Sequence, residues 1–366
     1  MSEPIYLDHN ATTPLRPEAK VAMARAMEGV GNASSVHGFG RAQRRLVEDA
    51  REAVAALCSA QPANVVFTSG GSEANNTILR GTDARTVLVS AIEHASVLDA
   101  RHDRNIIPVN TDGVIDLAAL ADLLAEAEGP VLVSVMAVNN ETGVIQPIEQ
   151  VAEVVHGAGG KLHVDAVQAA GKIALQPIVQ AADWIAVSAH KMGGPVGAGA
   201  LIVREARPFE PLIKGGGQER RRRAGTENVV AIAGFGAAAT AAADLSQAVA
   251  LSALRDQVES EIAGDAKFYG AGAPRVGNTL CVGMPGVTAE TQVMSLDLAG
   301  IAVSAGSACS SGKVEPSHVL LAMGASAEEA METVRVSFGW SSQPSDAVRF
   351  VDAWRQIRKR ATEAAA

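Results

Sequence analysis

Short runs of apolar, largely β-branched residues recur along the first two thirds of this chain, with helix-forming segments between them. The runs lie at 65–68, 86–89, 131–138, 161–164, 184–187 and 198–203. Continuous apolar runs of about this length are typical of strands buried on both faces, as in a parallel sheet. Between them, segments such as 41–58 carry an apolar stripe at helical spacing. The alternation predicts an α/β fold with a mostly parallel sheet.

After about Ala243 the pattern changes. We predict, in order, a helix at 245–262, a strand at 278–282, a helix at 289–299, a Gly/Ser-rich loop at 304–312, a strand at 333–337 and a terminal helix near 345–360. Strands and helices that do not alternate regularly predict a second, smaller α+β domain.

Composition restricts the partners of the protein. The 31 basic and 40 acidic residues give a net charge of −9, which argues against a primary nucleic-acid role. Three cysteines favour a reducing compartment. The N-terminal segment has no signal pattern, and the longest weakly polar stretch, 229–243, is short for a membrane span. We therefore expect a cytoplasmic protein without membrane or nucleic-acid partners.

Polar residues follow five of the predicted strands. These groups lie at 69–76, 93–94, 139–143, 165–168 and 188–191. In open α/β sheets, ligands bind at the carboxyl ends of the strands. Five such groups meeting at one edge predict a ligand site there.

Each group alone also has a structural interpretation. Gly70, Gly71 and Ser72 before a helix favour either phosphate binding or a tight turn with a helix cap. Lys191 follows an apolar strand, where partial burial would make it a Schiff-base nucleophile, or it extends to solvent at a rim. Taken alone, His94 is more typical of a structural histidine, and Asp165 of a helix cap.

The three cysteines differ in their surroundings. Cys58 falls on a helical stripe and Cys281 in an apolar strand, so both are expected in the core. Cys309 lies among small polar residues, which predicts an accessible, reactive thiol. The charge run at 220–223 fits a solvated loop or, with the glycines near it and Thr226, an anion-contacting loop.

Together these segments resemble the cysteine desulfurases, within the class V aminotransferase branch of fold-type I pyridoxal-phosphate enzymes. The matching motifs run almost from end to end of the chain, at 6–13, 69–76, 139–143, 163–168, 188–191, 215–228, 307–311 and 315–318. The resemblance implies a large domain at 15–250 with a mostly parallel seven-stranded sheet. It also implies a small domain, built from 1–14 and 251–366, that carries a mobile cysteine loop at about 304–316, and a homodimer.

The resemblance implies roles for the residues at the strand ends. Lys191 would hold pyridoxal 5'-phosphate covalently and later move the substrate α-proton. Asp165 would pair with the protonated pyridine nitrogen, Gln168 would donate to the ring oxygen, and His94 would stack on the ring and help in proton transfer.

Further residues are implied to bind the phosphate or the substrate. The phosphate group would contact Ser72, the backbone at Gly71, Ser188 and His190, with Thr226 arriving from the partner subunit. Asn140, which is also implied to contact the cofactor, would hold the substrate carboxylate together with Arg335, whose fork suits a carboxylate.

The implied reaction takes sulfur from L-cysteine and leaves L-alanine. Cys309 would receive the sulfur as a persulfide and pass it to an acceptor or iron–sulfur scaffold protein. The loop of about 12 residues between Ser304 and Pro316 resembles the long-loop group that supplies iron–sulfur cluster assembly. No metal is implied in the resting enzyme, although Cys309 could ligate a cluster transiently.

Three positions depart from the family pattern. Ser72 stands where many relatives have Thr, and Gln218 where some have His. Trp340 stands where many have a second arginine. The rival hypotheses are a selenocysteine lyase, a small-amino-acid aminotransferase, and a non-enzymatic scaffold with this fold. A transaminase needs no mobile cysteine, and a scaffold needs no set of Lys191, Asp165 and His94.

Overall fold

The computed structural model describes residues 3–204, 207–306 and 315–365. The strands are β1 (Ile5–Tyr6), β2 (Val65–Thr68), β3 (Thr86–Ser90), β4 (Arg104–Ile107), β5 (Val131–Met136), β6 (Lys161–Asp165), β7 (Trp184–Ser188), β8 (Gly199–Val203), β9 (Lys267–Phe268), β10 (Thr279–Gly283), β11 (Ile301–Ala302), β12 (Ser304–Ala305) and β13 (Thr333–Ser337).

The α-helices connect these strands and cover them. They are α1 (Pro17–Glu28), α2 (Gly38–Leu57), α3 (Gly71–Gly81), α4 (Ala95–Leu98), α5 (Leu117–Ala125), α6 (Ile148–Gly157), α7 (Gln176–Ala181), α8 (Val229–Ala242), α9 (Ser246–Ile262), α10 (Ala289–Leu298), α11 (His318–Ala322), α12 (Ala327–Met331) and α13 (Pro344–Ala365).

Seven strands form the large sheet, in the order β2-β8-β7-β6-β5-β3-β4. β8 pairs antiparallel with both of its neighbours, and the remaining neighbours pair in parallel. The predicted mostly parallel α/β sheet is therefore confirmed. All six predicted strands are present, although β5 ends at Met136, before the predicted end at 138.

The seventh strand, β4, has no counterpart among the predicted strands. Its sequence is Arg-Asn-Ile-Ile, and its two central residues are exposed because it lies at the edge of the sheet. A continuous apolar run marks only strands that are buried on both faces, so this edge strand lacks the signal.

Helix α8 packs closely against the N-terminal helices. A Cβ on Gly236 would lie 2.6 Å from the Cα of Ala50 in α2, and one on Gly234 would lie 2.6 Å from the Cγ of Met23 in α1. Because glycine has no side chain, α8 can approach α1 and α2 closely at these two positions. Among the described residues, no single helix is long and apolar enough to cross a membrane, and α8 and α9 meet that test only as a pair bent by 75°.

A second sheet has the order β12-β13-β10-β9 and is antiparallel. Its core contains Trp354 from α13, and it also contains Ile5 and Leu7 from the start of the chain. β1 pairs in parallel with β11. The N-terminal segment is thus held against elements from the last quarter of the chain. The domain boundaries at 14–15 and 250–251 stay a prediction.

Candidate active site

A cavity of about 620 Å³ opens at the carboxyl ends of the large sheet and is closed on another side by β13. A volume of this order suits a small-molecule site. Ten of the residues singled out from the sequence line it: Gly71, Ser72, His94, Asn140, Asp165, Gln168, Ser188, His190, Lys191 and Arg335. The structure therefore brings together the polar groups that follow separate strands.

Asp165 ends β6 and presents a carboxylate held by two donors. Asn75 Nδ2 donates to Oδ2 over 2.7 Å, and the backbone N–H of Val167 donates to Oδ1 over 2.9 Å. The carboxylate is buried but lines the cavity. These two bonds fix the direction of the carboxylate.

Lys191 follows β7 in a short 3₁₀ turn. Its Nζ donates to the backbone oxygens of Asn10 and Ala11, over 2.6 and 2.7 Å. Burial, together with the positive charge of Arg335, lowers the pKa of Lys191 to about 8. A lysine with this pKa is partly neutral near physiological pH, which is the form that attacks a carbonyl carbon.

Gln168 and Lys172 form a hydrogen-bonded pair beside Lys191. Lys172 Nζ donates to Gln168 Oε1 over 2.5 Å, and Gln168 Nε2 donates to the backbone oxygen of Asn10 over 2.9 Å. Lys191 Nζ donates to that same oxygen. Asn10 thereby joins the two lysines and the glutamine in one network.

Helix α3 begins at Gly71 with no side-chain cap. The first N–H groups of a helix have no partner within it, and the helix dipole favours an anion there. Ser72 and Ser188 line the cavity at the same place. A Cβ on Gly71 would lie 2.6 Å from Val167 Cγ2, so a glycine permits this close approach. The arrangement suits a phosphate group.

Two histidines line the cavity as uncharged rings. His94 Nδ1 accepts the backbone N–H of Ser96 over 3.0 Å, which leaves the proton on Nε2. Burial and the charge of Lys191 lower the pKa of His94, although Asp165 acts in the opposite direction. Burial and Lys191 also lower the pKa of His190 to about 4.

Arg335 enters the cavity from β13. Its Nη2 donates to Asp8 Oδ1 over 2.7 Å, and its Nη1 donates to the backbone oxygen of Asn140 over 3.2 Å. Its buried Nε has no hydrogen-bond partner among the described residues. The guanidinium is fixed in place and retains donor capacity toward the cavity.

Glu141 is a buried carboxyl group at the cavity wall. It accepts a hydrogen bond from Ser317 Oγ over 2.5 Å. Burial raises the pKa of Glu141 to about 7, against the opposing effects of Ser317 and Arg335. Its charge therefore changes near physiological pH.

Thr226 and Cys309 are the two other residues predicted for the site. Thr226 is exposed and lies outside the lining of the cavity. Cys309 lies outside the residues that the structure describes. The two remaining cysteines, Cys58 and Cys281, are buried and free, as predicted.

Sequence reasoning assigned no role to four residues of the site. Asn10, Asn75 and Glu141 lie inside motifs that were recognised, but their contacts come from distant segments. Lys172 lies four residues after Gln168, a spacing that places two side chains on the same side of a helical turn. That spacing was the available signal for Lys172.

Comparison with known proteins agrees with this geometry. The family model of aminotransferase class-V matches residues 5–350. A cysteine desulfurase from Cereibacter sphaeroides is 42% identical in an alignment 359 residues long, which covers 93% of this chain and 92% of that protein.

Solved structures have the same fold. The NifS-like protein from Rickettsia africae has a TM-score of 0.91 at 34% identity, covering 98% of this chain and 100% of that one. SspA, solved in complex with cysteine, has a TM-score of 0.79 at 29% identity, covering 91% and 98%.

The chain therefore belongs to the aminotransferase class-V family. Enzymes of this family depend on pyridoxal phosphate. Within it the chain groups with the cysteine desulfurases, so the predicted family, fold and enzyme class are confirmed.

Proposed function

We propose that this cysteine desulfurase binds pyridoxal 5'-phosphate at Lys191, takes sulfur from L-cysteine, releases L-alanine and transfers the sulfur by way of Cys309. The observation that carries the proposal is the position of Lys191. Its amine, with a pKa lowered to about 8, shares one cavity with the fixed carboxylate of Asp165 and the uncapped start of α3.

The donor set of the cavity fits this cofactor. The open helix N-terminus with Ser72 and Ser188 suits the phosphate, and Asp165 suits the protonated ring nitrogen. The second hydrogen of Gln168 Nε2 is available to a ring oxygen, since only one is used by Asn10. His94 borders the same space. Each polar group of the cofactor thus finds a complementary group of the protein.

When bound, the cofactor supplies an electron sink for the bonds at the substrate α-carbon. The protein's own residues do the remaining work. Lys191, once free, takes the α-proton and returns it, since its pKa lies near the operating pH. Neutral His94 offers a second proton carrier through Nε2. Asp165 holds its negative charge toward the ring nitrogen.

Substrate orientation falls to Arg335 and Asn140. A guanidinium recognises a carboxylate through parallel N–H bonds, and Asp8 keeps that guanidinium from turning away. The thiolate of Cys309 then attacks the substrate sulfur. A sulfur–sulfur bond forms as the carbon–sulfur bond breaks, and the electron pair moves toward the carbon. That carbon takes up one proton, equivalent to the proton that the Cys309 thiol gave up, and becomes the methyl group of alanine.

We further propose that two copies of the chain form a homodimer. Four apolar side chains near the start of α2 and the end of α1 are exposed: Met27 at 65%, Val30 at 74%, Val36 at 88% and Phe39 at 66%. Exposed apolar groups of this kind mark interfaces. Thr226, which lies outside its own cavity, would then reach the cavity of the partner subunit.

The proposed acceptor of the sulfur is an iron–sulfur scaffold or another sulfur-acceptor protein in the cytoplasm. The reducing compartment keeps the Cys309 thiol available between turnovers. The charge of −9 supports the absence of nucleic-acid partners.

The test is L-cysteine-dependent formation of alanine and sulfide by the purified protein, with pyridoxal 5'-phosphate and a thiol reductant present. We expect equal amounts of both products. Cys309→Ser should abolish turnover while keeping the cofactor absorbance. Cys58→Ala, which changes a buried cysteine that does not line the cavity, is the matched control and should retain turnover. Bound cofactor without alanine formation would contradict the proposed substrate.

A further inference from the structure

Lys172 is a lysine in contact with Gln168 and Asn10 that the proposed reaction does not use. Its Nζ donates to Gln168 Oε1 over 2.5 Å and to Asn10 Oδ1 over 2.8 Å. Both acceptors are amide oxygens, and neither bond is made to a carboxylate. Burial and the charges of Lys191 and Arg335 lower the pKa of Lys172 well below its usual range. An aliphatic side chain would fill this position without the free-energy cost of burying an amine.

The amine of Lys172 donates to two amide oxygens, and these two bonds set the direction of its partners. The charged form has three N–H donors, and the neutral form keeps two, which is enough for both bonds. The side-chain amide of Gln168 therefore turns its oxygen to Lys172 and its nitrogen away. That nitrogen donates to the backbone oxygen of Asn10 over 2.9 Å and keeps a second hydrogen for the cavity.

The same argument applies to Asn10. Its Oδ1 accepts from Lys172 and from Asn278 Nδ2, the latter over 3.1 Å. Its Nδ2 donates to the backbone oxygen of Asn140 over 3.1 Å and to Thr279 Oγ1 over 2.9 Å. With both amide orientations set, the backbone oxygen of Asn10 stays in place to accept from Gln168 and from Lys191.

We propose that Lys172 is a positioning residue that locks the side-chain amide of Gln168 with its nitrogen toward the cavity, so that it donates to the ring oxygen of the cofactor. This inference rests on the proposed function. Without Lys172, the Gln168 amide can turn over and present its oxygen to the ring oxygen, which removes a donor and places two acceptors together.

The test is a pH titration of the absorbance of the bound cofactor in four proteins: wild type, Lys172→Met, Gln168→Leu and the double variant. A hydrogen bond donated to an anionic oxygen stabilises the anion and lowers the pKa of the chromophore. Both single variants should therefore raise that pKa, by about 0.5 to 1 unit, the size of one hydrogen bond. The double variant should shift no further than Gln168→Leu alone.

The double variant separates two explanations. If Lys172 acted only through its own charge, its effect would add to that of Gln168→Leu, and the proposal would be wrong. An unchanged titration in Lys172→Met would also overturn it. Lys20→Met, which changes an exposed lysine of α1, should leave the titration as in wild type.

A crystal structure of cofactor-free Lys172→Met gives an independent measurement. We expect the Gln168 amide to leave its position within hydrogen-bonding distance of the Asn10 backbone oxygen. A Gln168 amide that keeps this contact would contradict the proposed role of Lys172. A wild-type protein that never develops a cofactor chromophore would instead contradict the proposed function, and this structure would still decide the role of Lys172.

Discussion

The α2–α8 interface and the cavity at the strand ends differ in what they bury. Helix α8 has no charged residue, and its Gly236 lies against the backbone of Ala50. The cavity wall instead holds Lys191 and Glu141, and Lys172 contacts Gln168 of that wall. The pKa of each of these three groups is moved toward its neutral form. Close apolar packing stabilises the fold, while desolvated charges destabilise it. The packing of the α2–α8 interface thus offsets the free-energy cost of the desolvated charges at the cavity. The chemistry takes place in that cavity.

Lys191→Ala should have the largest effect, because it should remove activity without lowering stability. Removal of the nucleophile should lower alanine formation by more than roughly a thousandfold. Because burial disfavours the Lys191 ammonium, the melting temperature of the cofactor-free protein should not fall. The measurements are alanine release and thermal unfolding, with Lys20→Ala on the exposed side of α1 as the control. Normal turnover in Lys191→Ala would contradict the proposed mechanism.

Gly236→Val should instead lower stability and leave turnover unchanged. Its side chain would meet the Cα of Ala50 at 2.6 Å, so α2 and α8 must separate. Overpacking of this kind costs about 3 kcal/mol, measured as a lower midpoint of urea unfolding, while the folded fraction keeps its turnover. Gly157→Val is the matched control, since a Cβ there meets nothing within 4 Å. Equal midpoints in the two variants would show that the interface tolerates bulk.

Glu141→Gln tests the cost of the buried carboxyl group. In the folded protein the pKa of Glu141 is raised from 4.5 to about 7, so the charged form is disfavoured. Glu141 by itself therefore lowers wild-type stability by roughly 2 kcal/mol as pH rises from about 4.5 to about 7. Histidines with lowered pKa values, such as His190, act in the opposite direction in both proteins. The stability of wild type relative to Glu141→Gln should thus fall across this range, whereas Glu149→Gln, on the exposed side of α6, should follow wild type. Unfolding midpoints across this pH range provide the measurement.

The pH dependence of cofactor binding should show the smallest effect. Only the neutral amine of Lys191 reacts with an aldehyde, and its pKa is about 8. The association rate of pyridoxal 5'-phosphate should rise roughly tenfold per pH unit below 8 and level off above it. A rate that keeps rising toward pH 10.5 would show an ordinary lysine. Stopped-flow absorbance of the cofactor-free protein gives this profile.

The sequence was most informative where local pattern and topology coincide. Buried strands such as β5 and β7 are continuous apolar runs, and both were predicted. Because parallel strands end at one edge of a sheet, the sequence alone predicts that Asp165 and Lys191 lie close together. β4 could not be found in this way, since an edge strand carries no such run.

Contacts between distant segments could not be predicted from the sequence pattern. Glu141 accepts a hydrogen bond from Ser317, which is 176 positions away. Asn10 contacts Gln168, which follows β6 of the large sheet, and also Thr279 of β10. The periodicity of the sequence does not predict such long-range contacts, because these contacts depend on how the two sheets pack against one another.

The position of Asn10 has a consequence for the order of synthesis. Its backbone N–H donates to Ser337 Oγ, 327 positions along the chain, and Asp8 pairs with Arg335 over the same separation. A growing chain on the ribosome can form the strands of the large sheet early, but it cannot close this wall until its last strand has emerged. The cavity is completed as nearly the last event of biosynthesis. A truncated product that lacks β13 therefore carries Lys191 without the arginine that would position a substrate beside it.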